Sequence, residues 1–284
     1  MIEIIKKLFS HSKNYNFISL KFQKIKKETE IEKIFKAIEK FSDNAEIRYV
    51  GGCVRKIIND EKVDDIDLAV NLSPDQVSKA LDQSNIKYYE TGIKHGTITA
   101  TINKNKFEIT SLRKDLSTDG RHAQVEFMND WKEDASRRDF SINSIYADLN
   151  GNLFDPFNGK KDLEKGEIKF IGDAGKRIKE DYLRILRYIR FFLNYSKKNH
   201  DVEIVKIIKK NLDGISKISP ERLLDEFRKL TSSNGFIKLT KDKDCFDLIN
   251  LIFPQFVKLK IFKNLNNFAL KKINEVDFIF LLSL

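Results

Sequence analysis

The stretch from Arg48 to Val70, R-Y-V-G-G-C-V-R-K-I-I-N-D-E-K-V-D-D-I-D-L-A-V, decides the fold. Its apolar start, Tyr49-Val50, predicts a strand that runs into Gly51-Gly52, then a brief helix carrying Arg55, then a second strand presenting Asp65 and Asp67. Side chains alternate faces along a strand, so the two aspartates point the same way and Ile66 points into the core. Two hard oxygen ligands side by side are what a Mg²⁺ ion on a polyphosphate needs. The glycines let backbone N–H groups approach a phosphate with no Cβ in the way, and Arg55 adds a bidentate cation. A D-x-D near a diglycine also arises by chance in acidic turns; the order strand, diglycine, arginine, D-x-D favours nucleotide chemistry.

This order and spacing resembles the opening motif of the class II nucleotidyltransferase superfamily, the tRNA CCA-adding enzymes and bacterial poly(A) polymerases. Their pattern is G-G-x-V-R-[DN] followed by D-[IV]-D-[LF]. Lys56 stands where the family usually has an acid or amide. The resemblance implies an α+β chain: a polymerase-β-like head on a mixed sheet, an all-helical neck and a shortened helical body. The boundaries expected are an N-terminal helical segment at 1–45, the head at 46–165, the neck at 166–230 and the body at 231–284.

Composition is compatible with this. The 284 residues can bury a real core, and 41% hydrophobic with 33% charged residues fits a soluble globular protein. There is no apolar run of spanning length and no small-residue cleavage site after the first ten residues, so a cytoplasmic protein with no membrane partner is expected. Cys53 and Cys245 are far apart and suggest neither a disulfide framework nor a zinc site; both read as buried thiols. The net charge of +10 sits at the ends: 181–284 hold 20 Lys+Arg against 12 Asp+Glu, whereas 41–180 hold 22 against 25. Basic flanks around a more acidic centre suit an enzyme acting on a polyanion, although a general lysine bias gives the same count.

Outward from the opening stretch, 1–45 read as helical, with Ile31, Ile34, Phe35, Ile38 and Phe41 at helical spacing. Ser73-Pro74 starts a helix to Asp82, and 86–90, 97–101 and 106–112 read as strands, the last two joined through Asn103-Lys104-Asn105 as a hairpin. Glu108 alternates with Phe107 and Ile109, which turns it toward the aspartates' side or leaves it a surface acid. His95 lies in T-G-I-K-H-G-T, a segment that matches the family but whose histidine also reads as a loop-shaping hydrogen bonder. Residues 114–134 read as a long polar loop, by resemblance the loop used in switching between nucleotides.

Three later motifs complete the resemblance, which covers roughly 46–230. A-S-R-R-D-F-S-I-N-S (Ala135–Ser144) sets Asn143 four residues past Asp139 on the same helical face, and is similar to the ribose-selection motif R-R-D-[FL]-T-[IV]-N-A. R-I-K-E-D-Y-L-R-I-L-R-Y-I-R-F (Arg177–Phe191) reads as one helix with Tyr182, Ile185, Leu186, Ile189 and, just beyond, Leu193 as its apolar stripe, and Glu180–Arg184 and Asp181–Arg184 as ion pairs. Its arginines, in a chain that otherwise prefers lysine, resemble E-D-x-x-R-x-L-R-x-x-R-F. Ser219-Pro220-Glu221 reads as a strong helix start, and Glu221-Arg222 with Glu226 resembles a structural neck motif.

What the resemblance implies is template-independent addition of CMP and AMP from CTP and ATP to a tRNA 3′ end, poly(A) or partial CC or A addition being the alternatives and a silent RNA-binding protein a distant one. Asp65 and Asp67 are the implied catalytic Mg²⁺ ligands in a two-metal site, with Glu108 a third carboxylate. Gly51, Gly52, Arg55, Arg138, Arg187 and Arg190 are implied for phosphates, Asp139 and Asn143 for ribose, and Asp181 with Arg184 for the base. The implied partners are nucleoside triphosphates and the tRNA acceptor stem and 3′ end.

Overall fold

The computed structural model describes residues 17–93, 96–118, 123–232 and 235–254. Expectations that fall on 1–16, His95, 119–122 and 255–284 lie outside the described residues. The chain divides into two compact units, one reaching Ser117 and including Ala123–Asp162, the other from Leu163 onward.

In the first unit, helices α1 (17–29) and α2 (Glu32–Glu39) precede β1 (Ile47–Val50), α3 (Gly52–Ile58), β2 (Ile66–Val70) and α4 (Pro74–Gln83). Strands β3 (Lys87–Gly92), β4 (Thr97–Ile102) and β5 (Asn105–Ser111) follow, then β6 (Arg113–Thr118), β7 (Ala123–Phe127), α5 (Trp131–Ser136), β8 (Tyr146–Ala147), β9 (Leu153–Phe154) and α6 (Gly159–Lys165). Seven strands make one sheet in the order β3-β4-β5-β2-β1-β8-β9. It is mixed, because β2 and β5 run parallel while β1–β2 and β4–β5 on either side run antiparallel.

The alternation along the central strands decides what each sheet face does. Ile47 and Tyr49, Ile66, Leu68 and Val70, Ile98, Ala100 and Ile102, and Phe107 and Ile109 all pack into one apolar core with α1, α2, α3 and α4. Phe22 and Phe35 meet Tyr49 there with ring centroids 4.8 and 5.1 Å apart, pairs each worth about 1 kcal/mol beyond area burial. The intervening residues Arg48, Asp67, Thr97, Thr99, Thr101, Glu108 and Thr110 therefore belong to the opposite face. That face has only a small apolar cluster, Val50, Ala69, Leu112, Trp131, Ala135 and Tyr146, near the middle of the sheet. A sheet with one helix-covered face leaves the other available for polar chemistry.

Local signals account for most boundaries. Ser73 caps α4 in a reciprocal capping box with Gln76, and Asn103 takes the left-handed conformation (φ 55°) that closes the β4–β5 hairpin. Asp155 accepts from the N–H groups of Gly159 (2.7 Å) and Lys160 (2.9 Å) and so starts α6.

Two expectations in this unit are corrected. Residues 114–134 are not a loop throughout: β6 and β7 pair as a two-stranded ribbon and α5 begins at Trp131. Of the ribbon's strands, R-K-D-L-S-T carries a single apolar residue and shows no alternation, and A-Q-V-E-F alternates over only five residues. Asp139 and Asn143 do not share a helix either. Helix α5 ends at Ser136, Phe140 is extended (φ −126°, ψ 149°), and 141–143 form a single 3-10 turn.

The second unit is helical: α7 (Ala174–Glu180), α8 (Leu183–Tyr195), α9 (Val202–Lys210), a 3-10 segment at Leu212–Lys217, α10 (Pro220–Thr231), α11 (Gly235–Lys241) and α12 (Lys243–Ile252). Ile185, Leu186 and Ile189 of α8 are buried, and α10 packs against α8 with Phe227 and Leu230 buried. The expected single helix over 177–191 is broken at Asp181, which is extended (φ −153°, ψ 104°). Its carboxylate instead accepts from Leu183 N–H (3.2 Å), a local hydrogen bond that competes with helix continuation. At Ser219 the helix start relies on Pro220 at its first turn, the serine side chain making no cap bond.

Among the described residues, no helix is long and apolar enough to cross a membrane.

Candidate active site

The parallel register sets Asp67 beside Glu108, and both lie on the polar face of the sheet, with Asp65 one residue before β2 starts. They line one side of a cleft of ≈ 1120 Å³ whose other walls include Tyr89, Thr99, Thr101, Lys104 and Lys106. Burial first, then the neighbouring Glu108, raises the Asp67 pKa above the ordinary carboxylate value; Arg138 and Arg55 act the other way, and Asp65 adds to the rise. Like charges gathered in a partly buried site create a demand for a cation, the condition a divalent metal meets.

Beneath them, Cys53 packs its thiol against two carbonyls, Val50 O at 3.2 Å and Asp67 O at 3.6 Å. Burial, and secondarily Asp67, pushes this thiol up to about 11, so Cys53 is a packing residue and not a nucleophile, as its sequence context suggests.

Gly51 lies in the left-handed region (φ 69°), where a side chain is strained. A Cβ added there would fall 3.3 Å from Arg138 Nη1 and 3.5 Å from Asn143 O. Its own N–H is donated to Ile145 O at 3.1 Å, so what this glycine provides is the bend and the close approach of Arg138 rather than a phosphate donor.

Arg55 and the ribose-motif residues form one buried chain. Arg55 Nη1 donates to Asn143 Oδ1, Asn143 Nδ2 donates to Asp139 Oδ1 at 2.9 Å, and the same oxygen accepts from Phe140 N–H at 2.9 Å. Arg55, Asp139 and Asn143 are all buried. Arg138 is held from the other side, its Nε donating to Tyr146 Oη at 3.1 Å and its Nη2 3.4 Å from Asp134 Oδ2.

Asp134 is a residue the sequence reading passed over. Only 2% of its side chain is exposed, yet it accepts from Arg137 Nε and Nη2 (2.9 and 2.8 Å), Tyr146 Oη (2.7 Å) and Arg113 N–H (3.3 Å). Burial alone would raise its pKa, but Arg138 and Arg137 outweigh that and hold it below the ordinary value. The i+3 and i+4 arginines were the available signal, together with its place three residues after Trp131 on the buried face of α5.

In the helical unit the remaining predicted residues also meet, though with different partners. Arg184 Nη1 contacts Glu180 Oε2 at 2.7 Å, and Arg177 pairs with the same carboxylate. Asp181 Oδ2, expected to pair with Arg184, accepts from Arg222 Nη2 of α10 at 2.8 Å, because the break at Asp181 turns its carboxylate toward that helix. Arg190 donates from Nε to the buried Glu226, with Arg187 Nη1 3.9 Å from the same carboxylate. Thus Arg222 and Glu226, read from sequence as structural, hold Asp181 and the Arg187–Arg190 pair, while Glu180 holds Arg184.

A mixed sheet whose polar face holds a carboxylate cleft, with Arg55 and Arg138 near enough to act on Asp67, is the arrangement of a nucleotidyltransferase-type head. Residues 47–169 match the family model described as the Poly A polymerase head domain. The chain is 42% identical over 241 residues to the human mitochondrial CCA tRNA nucleotidyltransferase 1, an alignment covering 81% of this chain and 55% of that protein. It is 37% identical over 187 residues to the CCA-adding enzyme of Lactobacillus helveticus, covering 65% and 46%. Among solved structures, the Bacillus stearothermophilus CCA-adding enzyme in complex with CTP is similar with a TM-score of 0.62 at 26% identity, over 78% of this chain and 50% of that one. These similarities place the chain beside the class II nucleotidyltransferases, the CCA-adding enzymes and bacterial poly(A) polymerases. It spans about half the length of the curated relatives it matches.

Proposed function

We propose that this chain is a CCA tRNA nucleotidyltransferase that transfers CMP and AMP from CTP and ATP to the 3′ end of tRNA without a template. The observation that carries the reading is the Asp67–Glu108 juxtaposition at the cleft, beside Asp65 and within the field of Arg55 and Arg138. Asp65 and Asp67 would hold Mg²⁺, with Glu108 as a neighbouring carboxylate; the acid-rich, oxygen-only donor set fits that hard cation. When bound, the metal supplies charge neutralisation at the triphosphate and lowers the pKa of the attacking 3′-hydroxyl.

The protein's own groups do the positioning. Arg55 and Arg138 bind the triphosphate as pre-oriented guanidiniums, their geometry fixed by Asn143 and by the Asp134–Tyr146 pair. Asp139 and Asn143 recognise the ribose hydroxyls through acceptor lone pairs left over from their mutual hydrogen bond, since a carboxylate oxygen accepts more than one donor. Asp181 and Arg184 select the base, held by Arg222 and Glu180, while Arg187 and Arg190 contact phosphate. The lysine-rich flanks bind the acceptor stem through its phosphates, with affinity that falls as salt rises. The reaction is assigned to the cytoplasm.

The expected result is label transfer from both CTP and ATP to tRNA ending at the discriminator base. Asp65→Ala abolishes that incorporation and leaves tRNA affinity within a few-fold; full activity in the variant refutes the metal assignment. Because the matched head-domain family is described by poly(A) polymerase, ATP-only extension of arbitrary RNA is the second reading, and the same assay separates the two.

A further inference from the structure

Away from the cleft, His200, Asp242 and Cys245 of the helical unit point their ligand atoms at one spot, all within 4.8 Å of one another. His200 Nε2 lies 3.1 and 3.3 Å from the two Asp242 oxygens and 3.5 Å from Cys245 Sγ. We propose that these three side chains form a transition-metal site, for Zn²⁺ or an ion of its class, with the fourth position open to water.

The spacing fits. Zinc bonds of about 2.0–2.1 Å to nitrogen, 2.0–2.2 Å to oxygen and 2.3 Å to sulfur, arranged tetrahedrally, put neighbouring ligand atoms about 3.4 Å (N···O) and 3.5 Å (N···S) apart. The chemistry fits as well. Imidazole and thiolate are the ligands that favour zinc over magnesium, so this site and the all-oxygen cleft select different ions from one solution.

The surroundings are those of a held ligand set. The His200 ring stacks on Phe192, with centroids 3.5 Å apart and planes at 15°, and its Nδ1 lies 3.3 Å from Tyr188 Oη. With the Nδ1 proton donated to that hydroxyl, the Nε2 lone pair faces the proposed ion, the outer-shell arrangement that fixes a metal-ligating histidine. Asp242 Oδ1 also accepts Cys245 N–H at 2.9 Å as the cap of α12, which fixes the carboxylate in place. Cys245 is fully buried and Asp242 is 26% exposed, so access is from the carboxylate side.

Metal binding to a thiol releases the thiol proton to solvent as the S–metal bond forms, so affinity rises with pH. An ion there ties the segment after α8 to the first turn of α12, across 42 to 45 residues of chain. This clamp is independent of the nucleotidyl-transfer reading.

The probe is Co²⁺ added to the purified full-length chain after chelator treatment. One equivalent with a thiolate-to-cobalt charge-transfer band, displaced by Zn²⁺, is expected. The band persists in Cys53→Ala, the other cysteine, and is lost in Cys245→Ser and His200→Gln. Zinc at a hundredfold excess over Kd raises the wild-type melting temperature by about 5 °C or more. A wild-type protein with no thiolate band overturns the proposal whatever the variants do, since His200 Nε2 is then simply a donor to Asp242. Equal Zn²⁺ uptake by wild type and a folded Cys245→Ser also overturns it, as adventitious binding.

Discussion

Asp134→Ala tests whether the arginine side of the cleft is held by a buried hub. The substitution removes the acceptor for Arg137, for Tyr146 Oη and for the Arg113 N–H, and the anion facing Arg138. Two guanidiniums and a phenol are left without their common partner in a region where Asp134 itself is 2% exposed. Removing one partner of a buried ion pair costs about 3–5 kcal/mol, and the several bonds to one carboxylate place the cost near the middle, about 4 kcal/mol. For a domain of about 150–250 residues that lowers the melting temperature by roughly 8–16 °C. Asp134→Asn keeps one acceptor oxygen and loses about half as much.

The sign with pH follows from the lowered Asp134 pKa. Its stabilisation is fully present above the unfolded carboxyl value of about 3.9 and is lost as pH falls through the lower folded value. The gap between wild type and Asp134→Ala therefore narrows below about pH 4. Thermal melts at pH 7.5 and at a series of acid pH values measure both effects. A variant that melts within about 2 °C of wild type at pH 7.5, or a gap that widens with acid, refutes the hub.

Other substitutions probe single contacts. Gly51→Ala forces a left-handed alanine, at a cost of about 1–2 kcal/mol, and presses a methyl 3.3 Å from Arg138 Nη1. The nucleotide KM is expected to rise at least tenfold, and an unchanged KM argues that the Arg138 approach is irrelevant to binding. Arg222→Met frees Asp181; because the pair is about a quarter to a third exposed, stability changes by less than about 1 kcal/mol while the ratio of CTP to ATP incorporation moves. An unaltered ratio removes Arg222 from base selection.

The opening stretch made much of the head legible. A period of two along 66–70 and 97–111 gave strands, faces and hairpin, and Ser73-Pro74 gave a helix start, because those signals are local. Which strands become neighbours is not local. Alternation turned Glu108 away from Phe107 and Ile109, but only the β2–β5 pairing brings it next to Asp67. The ribbon at 113–127 escaped because R-K-D-L-S-T shows no alternation and A-Q-V-E-F is only five residues long, and the helix break at Asp181 escaped because no glycine or proline marks it. There an aspartate's capacity to bond nearby N–H groups was the available cue. The buried Asp134 was hidden by its own chemistry, since an acid followed by two arginines looks like a solvated surface until its position relative to Trp131 is considered.

The parallel β2–β5 pair also orders events during synthesis. Its partners are separated by α4, β3 and β4, so a ribosome must release more than forty residues beyond Asp67 before Glu108 reaches it. Strand β1 gains its second neighbour only when Tyr146-Ala147 emerges. Any nascent or prematurely ended head thus exposes unpaired strand edges and cannot bring its acids together, which couples completion of the polypeptide to the onset of chemistry.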